Sequence, residues 1–474
     1  MLELNDVLEA LTGQRPQIAP QIISEACVDS RHAIPASLFV ALLGEQVDGH
    51  VYIADAFARK ATAALIEQDL SDQFPVLDLR TGYLPENLQI PEQSFCILVN
   101  DCLEALQKIA AFWRNKLDLR VIGITGSIGK STTKDLVAEV LGEKFRVLKN
   151  QGNYNNEIGL PLTILRLGLG HQVAIMEMGF YLPGEIKLLC EIAKPQVGMI
   201  TNIGPVHAER AGSQETIAKG KGELIASLPA APIGTAILNY DDPYTRPMNT
   251  LTDANIFYYG LNSEADLWAD QIESKGLSGI KFRLHYQNET IHVRAPLIGR
   301  HSVHTILRAA SLGLVEGMSW PEIISGLQRG RSQLRLVTVF TESGALLLDD
   351  SYNASPESTL AALNLLDDMK GKRKIAVLGD MLELGSYEEI SHQKVGIRVS
   401  QVCNELFALG ERSKTTAKSA QDAGMPSKNI HWFANSLQVI EPLKKHLDEG
   451  DVVLVKGSLG MKMARIINAL EKTS

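Results

Sequence analysis

The segment that most constrains the fold runs from an apolar strand through a glycine-containing turn into a helix. The apolar stretch 121–125 leads into the turn, and a helical pattern follows over 130–141. Backbone N–H groups of such a turn, with the positive end of the following helix, bind anions. The sequence therefore predicts a phosphate-binding loop for ATP or a close relative. The loop residues are Thr125, Gly126, Ser127, Ile128, Gly129, Lys130, Ser131 and Thr132.

Each residue type in this loop has a physical role. Glycine is needed where the backbone takes a positive φ and must approach a phosphate group. Lys130 is predicted to reach the β- and γ-phosphates, and the Ser131 or Thr132 hydroxyl is predicted to hold Mg²⁺. The spacing is unusual, because Gly126 and Gly129 are only three residues apart. This short spacing distinguishes the loop from the common Gly-x4-Gly-Lys form.

Strand-like and helical stretches alternate after the loop. Buried strands are predicted at 173–178 and 197–201, and a helix is predicted across 214–227. This alternation indicates a parallel sheet with helices on both faces. The character changes over 255–297, where short alternating strands suggest a small antiparallel appendage, and a helix at 302–316 follows.

The regions on either side are also of the α/β class. The first hundred residues combine a helix near 4–11 with short strands at 37–42 and 63–66, and a helix follows at 101–116. The Pro-, Asp- and Gln-rich stretch 70–95 is predicted to form loops.

A second doubly wound sheet is predicted near the C-terminus, after a polar, Gly- and Arg-rich linker near 330. Its strands are placed at 345–350, 374–379, 404–409 and 452–456. We therefore expect three α/β domains: an N-terminal domain at 1–105, a central phosphate-loop domain at 106–325 and a C-terminal Rossmann-like domain at 326–474.

Composition excludes several classes of protein. The chain has 46 basic and 55 acidic residues, a formal charge of −9, which argues against a nucleic-acid or anionic-membrane partner. It has no apolar run long enough to span a membrane and no signal layout at its N-terminus. The five cysteines are scattered, so we expect reduced thiols and a cytoplasmic location.

Four polar residues follow the predicted strands of the central domain. Glu177 ends the strand 173–178, and in parallel sheets ligands bind at the carboxyl ends of the strands. An isolated Glu is more typical of a helix cap or an exposed position. Because Glu177 follows the strand beside the loop strand, however, we expect its carboxylate to bind Mg²⁺ or orient its water. His207 taken alone is typical of a structural loop residue, and Lys219 and Lys221 taken alone are typical of a helix surface.

Several further segments resemble the Mur ligases, the ATP-dependent amide-bond-forming enzymes of peptidoglycan synthesis. The short glycine spacing of the loop matches this family, and the resemblance extends over essentially the whole chain. The matching segments are Asp29-Ser30-Arg31, Asp48-Gly49-His50, and the stretches at 152–161, 349–356 and 379–385.

The resemblance implies roles for individual residues. Glu177 and His207 would bind Mg²⁺ with Ser131, and Lys221 would be a carbamylated lysine serving a second Mg²⁺. Together with Lys130 these residues would be catalytic. Further ATP contacts implied are Asn156, His301, Arg335 and Asp350. The implied contacts to the other substrates are Ser30, Arg31, Asp48, Gly49, His50, Asn155 and Asn353.

The resemblance also implies a reaction. ATP would phosphorylate UDP-N-acetylmuramoyl-tripeptide (UDP-MurNAc-tripeptide), and D-alanyl-D-alanine would attack the acyl phosphate to form an amide. The enzyme is expected to be a monomer. One alternative is another ligase of the superfamily, either the third-residue-adding enzyme or a folylpolyglutamate synthase. A second alternative is an inactive nucleotide-binding regulator, suggested by departures from the family pattern at Ser302, Thr305, Leu459 and Ala464.

Overall fold

The computed structural model describes most of the chain. The described residues are 1–44, 47–205, 209, 212–274, 276, 279–297, 299–329 and 337–471. Two predicted site residues, His207 and Arg335, lie outside the described residues, as does the part of the predicted linker between 330 and 335.

The N-terminal region forms a five-stranded parallel sheet with the strand order β1-β2-β3-β5-β4. Its strands are β1 (Ala26–Cys27), β2 (Leu38–Val40), β3 (Ala63–Ile66), β4 (Val76–Asp78) and β5 (Phe95–Leu98). Its helices are α1 (Leu4–Thr12), α2 (Ile53–Ala58) and α3 (Cys102–Lys116). The prediction of loops throughout 70–95 is wrong at β4. This strand has only three residues and is held by its pairing with β5, so no periodic pattern marks it in the sequence.

The central region forms a nine-stranded sheet with the order β14-β13-β12-β11-β10-β9-β6-β8-β7. The predicted phosphate loop connects β6, near the middle of the sheet, to the helix that follows it. The strands are β6 (Arg120–Thr125), β7 (Val147–Lys149), β8 (Val173–Glu177), β9 (Val197–Ile200), β10 (Thr235–Asn239), β11 (Asn255–Gly260), β12 (Leu267–Ser274), β13 (Ile280–Tyr286) and β14 (Glu289–Ala295). The helices are α4 (Lys130–Leu141), α5 (Gly159–Leu165), α6 (Glu185–Ala193), α7 (Gln214–Ala226), α8 (Ser302–Val315) and α9 (Trp320–Arg329).

The antiparallel section predicted over 255–297 is confirmed for β12, β13 and β14. However, β11 pairs in parallel with both β10 and β12. Hydrogen bonding therefore continues without a break from β7 to β14, and the antiparallel strands extend the same sheet.

The C-terminal region forms a six-stranded sheet with the order β15-β16-β20-β17-β18-β19. All pairs are parallel except β15 with β16. The strands are β15 (Val337–Phe340), β16 (Leu346–Asp350), β17 (Lys374–Gly379), β18 (Glu405–Leu409), β19 (Ile430–Phe433) and β20 (Val452–Lys456). The helices are α10 (Pro356–Asp368), α11 (Glu388–Val402), α12 (Ser413–Asp422), α13 (Ser436–His446) and α14 (Ala464–Leu470).

Helix α3 connects the first two sheets. It packs against α1 of the N-terminal region and against α5 and α6 of the central region, and its buried face belongs to a hydrophobic core shared by both. The domain limit predicted at 105/106 falls inside this helix. Within the described residues no helix is long and apolar enough to cross a membrane. All five cysteines are buried as free thiols.

Candidate active site

The phosphate loop joins β6 to α4 with both glycines in conformations that other residues rarely adopt. Gly126 has φ 145° and Gly129 has φ 80°. A Cβ atom on Gly126 would overlap the Thr201 side-chain oxygen, so the backbone of the loop lies directly against the end of β9. Glycine is required at this position by both conformation and space.

The segment after β9 braces the first half of the loop. The Ser127 N–H donates to the carbonyl of Asn202 (2.9 Å), and the Ile128 N–H donates to the Asn202 side-chain oxygen (3.0 Å). Ser127 Oγ accepts from the Gly204 N–H (2.9 Å), and Thr201 Oγ1 donates to the Ile128 carbonyl (2.7 Å). Because Ser127 and Ile128 use their N–H groups in this way, the donors available to an anion are those at the start of α4.

The cation and the hydroxyl groups of the loop lie at that helix start. The ammonium of Lys130 donates to the carbonyl of Gly126 (2.7 Å), so the side chain lies over its own loop. Ser131 and Thr132 belong to the first turn of α4 and are partly exposed. The structure therefore places Lys130 and both hydroxyls at the start of α4, and helix N-termini of this kind commonly bind anions.

Glu177 ends β8, the strand next to β6, and is almost completely buried. Its Oε1 accepts a hydrogen bond from the Asn155 amide (2.9 Å). The Asn150 side chain holds the Glu177 backbone with two hydrogen bonds. Its amide oxygen accepts from the Glu177 N–H (2.9 Å), and its amide nitrogen donates to the Glu177 carbonyl (3.0 Å). The Oε2 atom is also buried, and no described residue provides it with a hydrogen bond. One carboxylate oxygen is thus held by a hydrogen bond, while the other accepts none from the described residues.

Lys134 contacts this carboxylate and was not predicted from the sequence. It lies one turn after Lys130 on α4 and is 2 % exposed. Its ammonium lies 3.3 Å from Glu177 Oε2 and 3.5 Å from the Gly152 carbonyl. The ion pair balances the buried charge of Glu177 without forming a well-directed hydrogen bond.

Lys221 is buried on α7, whereas Lys219 on the same helix is exposed. The Lys221 ammonium lies 4.6 Å from the centre of the Phe180 ring, and the described residues give it no hydrogen bond or ion pair. Burial lowers the pKa of the Lys221 ammonium well below its usual value, and the charge of Lys130 lowers that pKa further, while Glu185 opposes the shift. Of the two candidate lysines, Lys221 is therefore the one directed into the protein near the loop.

The carboxyl edge of the C-terminal sheet contributes a second group of residues. The buried Lys456 ammonium donates to Asp350 Oδ2 (2.6 Å) and to the Asn353 carbonyl (2.9 Å). His301 lies just before α8 of the central region. Its side chain keeps access to solvent, but atoms of the central and C-terminal regions surround it closely. This crowding, with the charges of His304, Lys456 and Arg308, lowers the pKa of His301 to about 4. Asp350 and His301 thus belong to the facing edges of two sheets.

Asn155 and Asn156 are adjacent in the chain but have different roles in the structure. Asn155 contacts Glu177, as described above, whereas the Asn156 side chain accepts from the Gly159 N–H (2.9 Å) at the start of α5. Asn353 uses its side-chain oxygen locally, on the Ala354 N–H (2.9 Å). Of these three asparagines, Asn155 is the one that contacts the carboxylate beside the loop.

The two predicted N-terminal motifs lie far along the chain from the loop and pair mainly within themselves. Arg31 forms a two-pronged ion pair with Asp29 and is 79 % exposed, while Ser30 between them is buried. The pairing with Arg31 lowers the pKa of Asp29 to about 2.

The second motif is centred on the buried His50 imidazole. His50 Nδ1 lies 2.6 Å from Asp48 Oδ1, and Nε2 accepts from the Glu67 N–H (3.0 Å). A Cβ atom on Gly49 would lie 2.7 Å from the Leu42 carbonyl oxygen. His50 therefore uses both ring nitrogens inside the protein, whereas the Arg31 side chain is largely exposed.

Comparisons with known proteins match this architecture. Residues 124–313 match the family model of the Mur ligase middle domain, and residues 334–459 match that of the Mur ligase glutamate ligase domain. The UDP-N-acetylmuramoyl-tripeptide–D-alanyl-D-alanine ligase of Bacillus subtilis is 33 % identical over 98 % of both chains. This chain belongs to the Mur ligase family.

Solved structures of the family agree in fold. MurF from Acinetobacter baumannii aligns with a TM-score of 0.83 at 28 % identity, covering 98 % of each chain. MurF from Thermotoga maritima, crystallised in complex with ADP, aligns with a TM-score of 0.78 at 25 % identity, covering 96 % of this chain and 98 % of that one. The three-domain α/β fold predicted from the sequence is therefore confirmed.

The carboxylate of this Mur ligase fits a magnesium ion. Glu177 Oε2 is a buried oxygen that accepts no hydrogen bond from a described residue, although the Lys134 ammonium lies 3.3 Å away, and Mg²⁺ prefers oxygen ligands. Among the residues that the structure describes, no three His, Cys, Asp or Glu side chains converge on one point.

Proposed function

We propose that this Mur ligase joins D-alanyl-D-alanine to UDP-MurNAc-tripeptide in an ATP-dependent reaction that forms an amide bond. The observation that carries the proposal is the convergence of the phosphate loop, the available Glu177 oxygen and the buried Lys221 at one sheet edge. The name of the Bacillus subtilis relative supports the same choice of substrates. The chemistry belongs to the synthesis of the peptidoglycan precursor.

The residues suit a reaction that proceeds through an acyl phosphate. A carboxylate is a poor electrophile, and transfer of the γ-phosphoryl group supplies a leaving group for attack by the dipeptide amine. Two anions must approach each other in the first step, so cations are needed between them. Lys130 lies at the helix terminus that receives the phosphates and is placed to stabilise this charge. Arg335 is proposed as a further cation that reaches the γ-phosphate.

Magnesium would be held by Glu177, Ser131 and His207, and when bound it would neutralise phosphate charge and polarise the transferred group. Lys221 is proposed to carry a carbamate. Its amine is buried and its pKa is lowered, so the neutral form that reacts with carbon dioxide is favoured. Carbamylation would convert this position from a cation to an anion and would make it a suitable ligand for a second Mg²⁺.

The remaining contacts are proposed from the resemblance to the family. Asn156, His301 and Asp350 are proposed to bind ATP, with Asp350 on the ribose. Asn155 and Asn353 are proposed to bind the peptide substrates. The UDP end of the substrate is assigned to Ser30, Arg31, Asp48, Gly49 and His50, so that a distant anchor orients the reacting carboxylate.

Three further statements remain predictions from the sequence: the domain limits 1–105, 106–325 and 326–474, the monomeric state, and the cytoplasmic location. Closure of the C-terminal domain about the linker at 326–335 is proposed to keep water away from the acyl phosphate.

Phosphate release with the substrates supplied in all combinations tests the function. We expect release when ATP, Mg²⁺, UDP-MurNAc-tripeptide and D-alanyl-D-alanine are all present, and little when the dipeptide is missing. Release that is indifferent to the dipeptide would contradict the assignment. Assays with diaminopimelate- and lysine-containing tripeptides identify the preferred acceptor.

The same assay separates the alternatives. The third-residue-adding ligase would accept a free amino acid and a UDP-MurNAc-dipeptide instead, and a folylpolyglutamate synthase would accept glutamate and a folate. A nucleotide-binding regulator would bind ADP without metal-dependent turnover of any of these substrates.

A further inference from the structure

Arg308 is a buried cation next to the phosphate loop, and the reaction described above does not use it. It lies on α8 within a mostly apolar run and is 6 % exposed. Its Nε donates to the Tyr259 hydroxyl (3.1 Å) and its Nη1 donates to Thr133 Oγ1 (2.8 Å). Both acceptors are neutral. Within the described parts of the chain no carboxylate forms an ion pair with Arg308.

The acidic residues at the same sheet edge have other partners. Asp241 accepts from the Leu261 N–H (2.6 Å) and pairs with His304 (3.5 Å). Asp242 accepts from the Ile203 N–H (2.8 Å). In the described part of the chain, neither of these carboxylates forms an ion pair with the Arg308 guanidinium.

The Arg308 guanidinium lies next to the loop that is proposed to bind the nucleotide phosphates. A Cβ atom on Gly129 would lie 3.0 Å from Arg308 Nη1, so the guanidinium lies against the last residue of the loop before Lys130. Thr133, which accepts its hydrogen bond, is in the first turn of α4. The positive end of α4 and the Lys130 ammonium occupy the same region, and a buried cation is costly unless an anion balances it.

We propose that Arg308 is a second fixed cation of the nucleotide site, whose charge strengthens binding of the phosphate groups of ADP and ATP. It is a positioning residue, because its hydrogen bonds also hold the start of α4 through Thr133 and the end of β9 through Tyr259, which donates to the Thr201 carbonyl (3.0 Å). The proposal rests on the nucleotide site of the proposed function and adds a residue to it.

Two substitutions separate the charge from the hydrogen bonds. Arg308→Gln keeps a hydrogen-bond donor of similar reach and loses the charge. Thr133→Val loses the hydrogen bond and keeps the charge. We expect Arg308→Gln to weaken ADP binding by about tenfold or more, because a buried unit charge acts over several ångströms at low dielectric. We expect Thr133→Val to weaken it by less than about threefold.

The measurement is titration calorimetry with ADP, and ligand-observed NMR with adenosine, on the full chain. If the charge of Arg308 matters, Arg308→Gln binds ADP more weakly and binds adenosine as well as the wild type does. In the turnover assay its KM for ATP rises, while its KM for the UDP substrate does not. Equal losses for ADP and adenosine, or no loss for ADP, would overturn the proposal. If Arg308→Gln does not fold, Arg308→Lys decides, since it keeps the charge and must retain ADP affinity within about threefold.

The result is distinguishable from failure of the proposed function. If the wild-type chain binds ADP but does not join the two substrates, the ligase assignment fails while the role of Arg308 can still be measured. If the wild-type chain is an active ligase and Arg308→Gln binds ADP normally, only the role of Arg308 fails.

Discussion

A buried lysine lies beside an acidic residue at the carboxyl edge of both the central and the C-terminal sheet. The two pairs differ in how many hydrogen bonds their charged groups form. In the C-terminal sheet, Lys456 donates to Asp350 at 2.6 Å and also to the Asn353 carbonyl. In the central sheet, Lys134 lies 3.3 Å from Glu177 Oε2, which has no hydrogen bond from a described residue.

The difference continues in the surroundings of each pair. At the C-terminal edge the buried Asp380 accepts from the Ser413 N–H at the start of α12 (2.7 Å). At the central edge Lys221 and Arg308 are buried without an ion pair among the described residues. Polar groups that lack partners cost free energy, so a ligand that supplied the missing partners would stabilise the central edge. The carboxylates of the C-terminal edge are better paired, although Ser413 Oγ is buried there without a hydrogen bond from a described residue.

The largest expected effect follows from removing Lys221. We expect Lys221→Ala to lower the rate of phosphate release in the complete reaction by roughly 100- to 1,000-fold, because a charge-stabilising group near the phosphates is lost. If the lysine acts as a carbamate, acetate or formate should restore part of the rate. Lys219→Ala, at the exposed position on the same helix, is the matched control and should keep near-normal activity. A fully active Lys221→Ala enzyme would exclude both the catalytic role and the carbamate.

Breaking the two lysine pairs tests the comparison directly. Lys134→Met leaves the buried Glu177 carboxylate without its ammonium and should destabilise the protein by about 3–5 kcal/mol. Lys456→Met should cost less, because its partner Asp350 is partly exposed. The thermal midpoint of each variant is measured once with EDTA and once with Mg²⁺, both times without nucleotide. The change that Mg²⁺ causes distinguishes the two variants. Mg²⁺ should recover part of the loss in Lys134→Met, since Glu177 becomes free to bind it, and should recover none in Lys456→Met. Equal recovery in both variants would mean that the central edge is not a metal site.

Replacing one glycine at the carboxyl edge of each sheet is expected to give a smaller difference between the central and C-terminal edges. Gly126 (φ 145°) and Gly410 (φ 98°) both have positive φ, and a Cβ atom would overlap Thr201 in the first case and Asp380 in the second. Alanine at either position should cost at least about 1–3 kcal/mol in strain. We expect only Gly126→Ala to lose ADP binding as well, which calorimetry can measure. Loss of ADP binding in Gly410→Ala would show that the C-terminal edge is coupled to the phosphate loop.

Local patterns predicted the elements that hold the central edge. The helix at 130–141 has the predicted bounds, because the loop before it and its periodic apolar residues are both local signals. Glu177 and Lys221 were also predicted and are buried near the loop. The short edge strand Val76–Asp78 was missed, because it depends on pairing with residues about twenty positions later.

Lys134 and Arg308 were missed for a different reason. A lysine four residues after Lys130 is typical of a helix surface, and it is buried only because α4 packs against neighbours distant in the chain. Arg308 did carry a signal, since it interrupts the largely apolar stretch 303–315, but the sequence does not show which hydroxyls it contacts.

The smallest expected effect concerns His301, where the two edges face each other. Its pKa is about 4 in the folded chain and near 6.5 when unfolded, so the unfolded chain binds more protons between these values. His301 therefore lowers stability as the pH falls from 6.5 to 4, and has no such effect above 6.5.

We expect His301→Gln to remove this dependence, so that the variant gains about 1–2 °C in thermal midpoint over the wild type at pH 4.5, after solvent screening is allowed for. The exposed His292→Gln is the control and should follow the wild type at every pH. A constant difference between His301→Gln and the wild type from pH 4.5 to 8 would mean that His301 is not crowded by the facing edges. Because the charge of Lys456 also lowers the pKa of His301, Lys456→Met should reduce the effect.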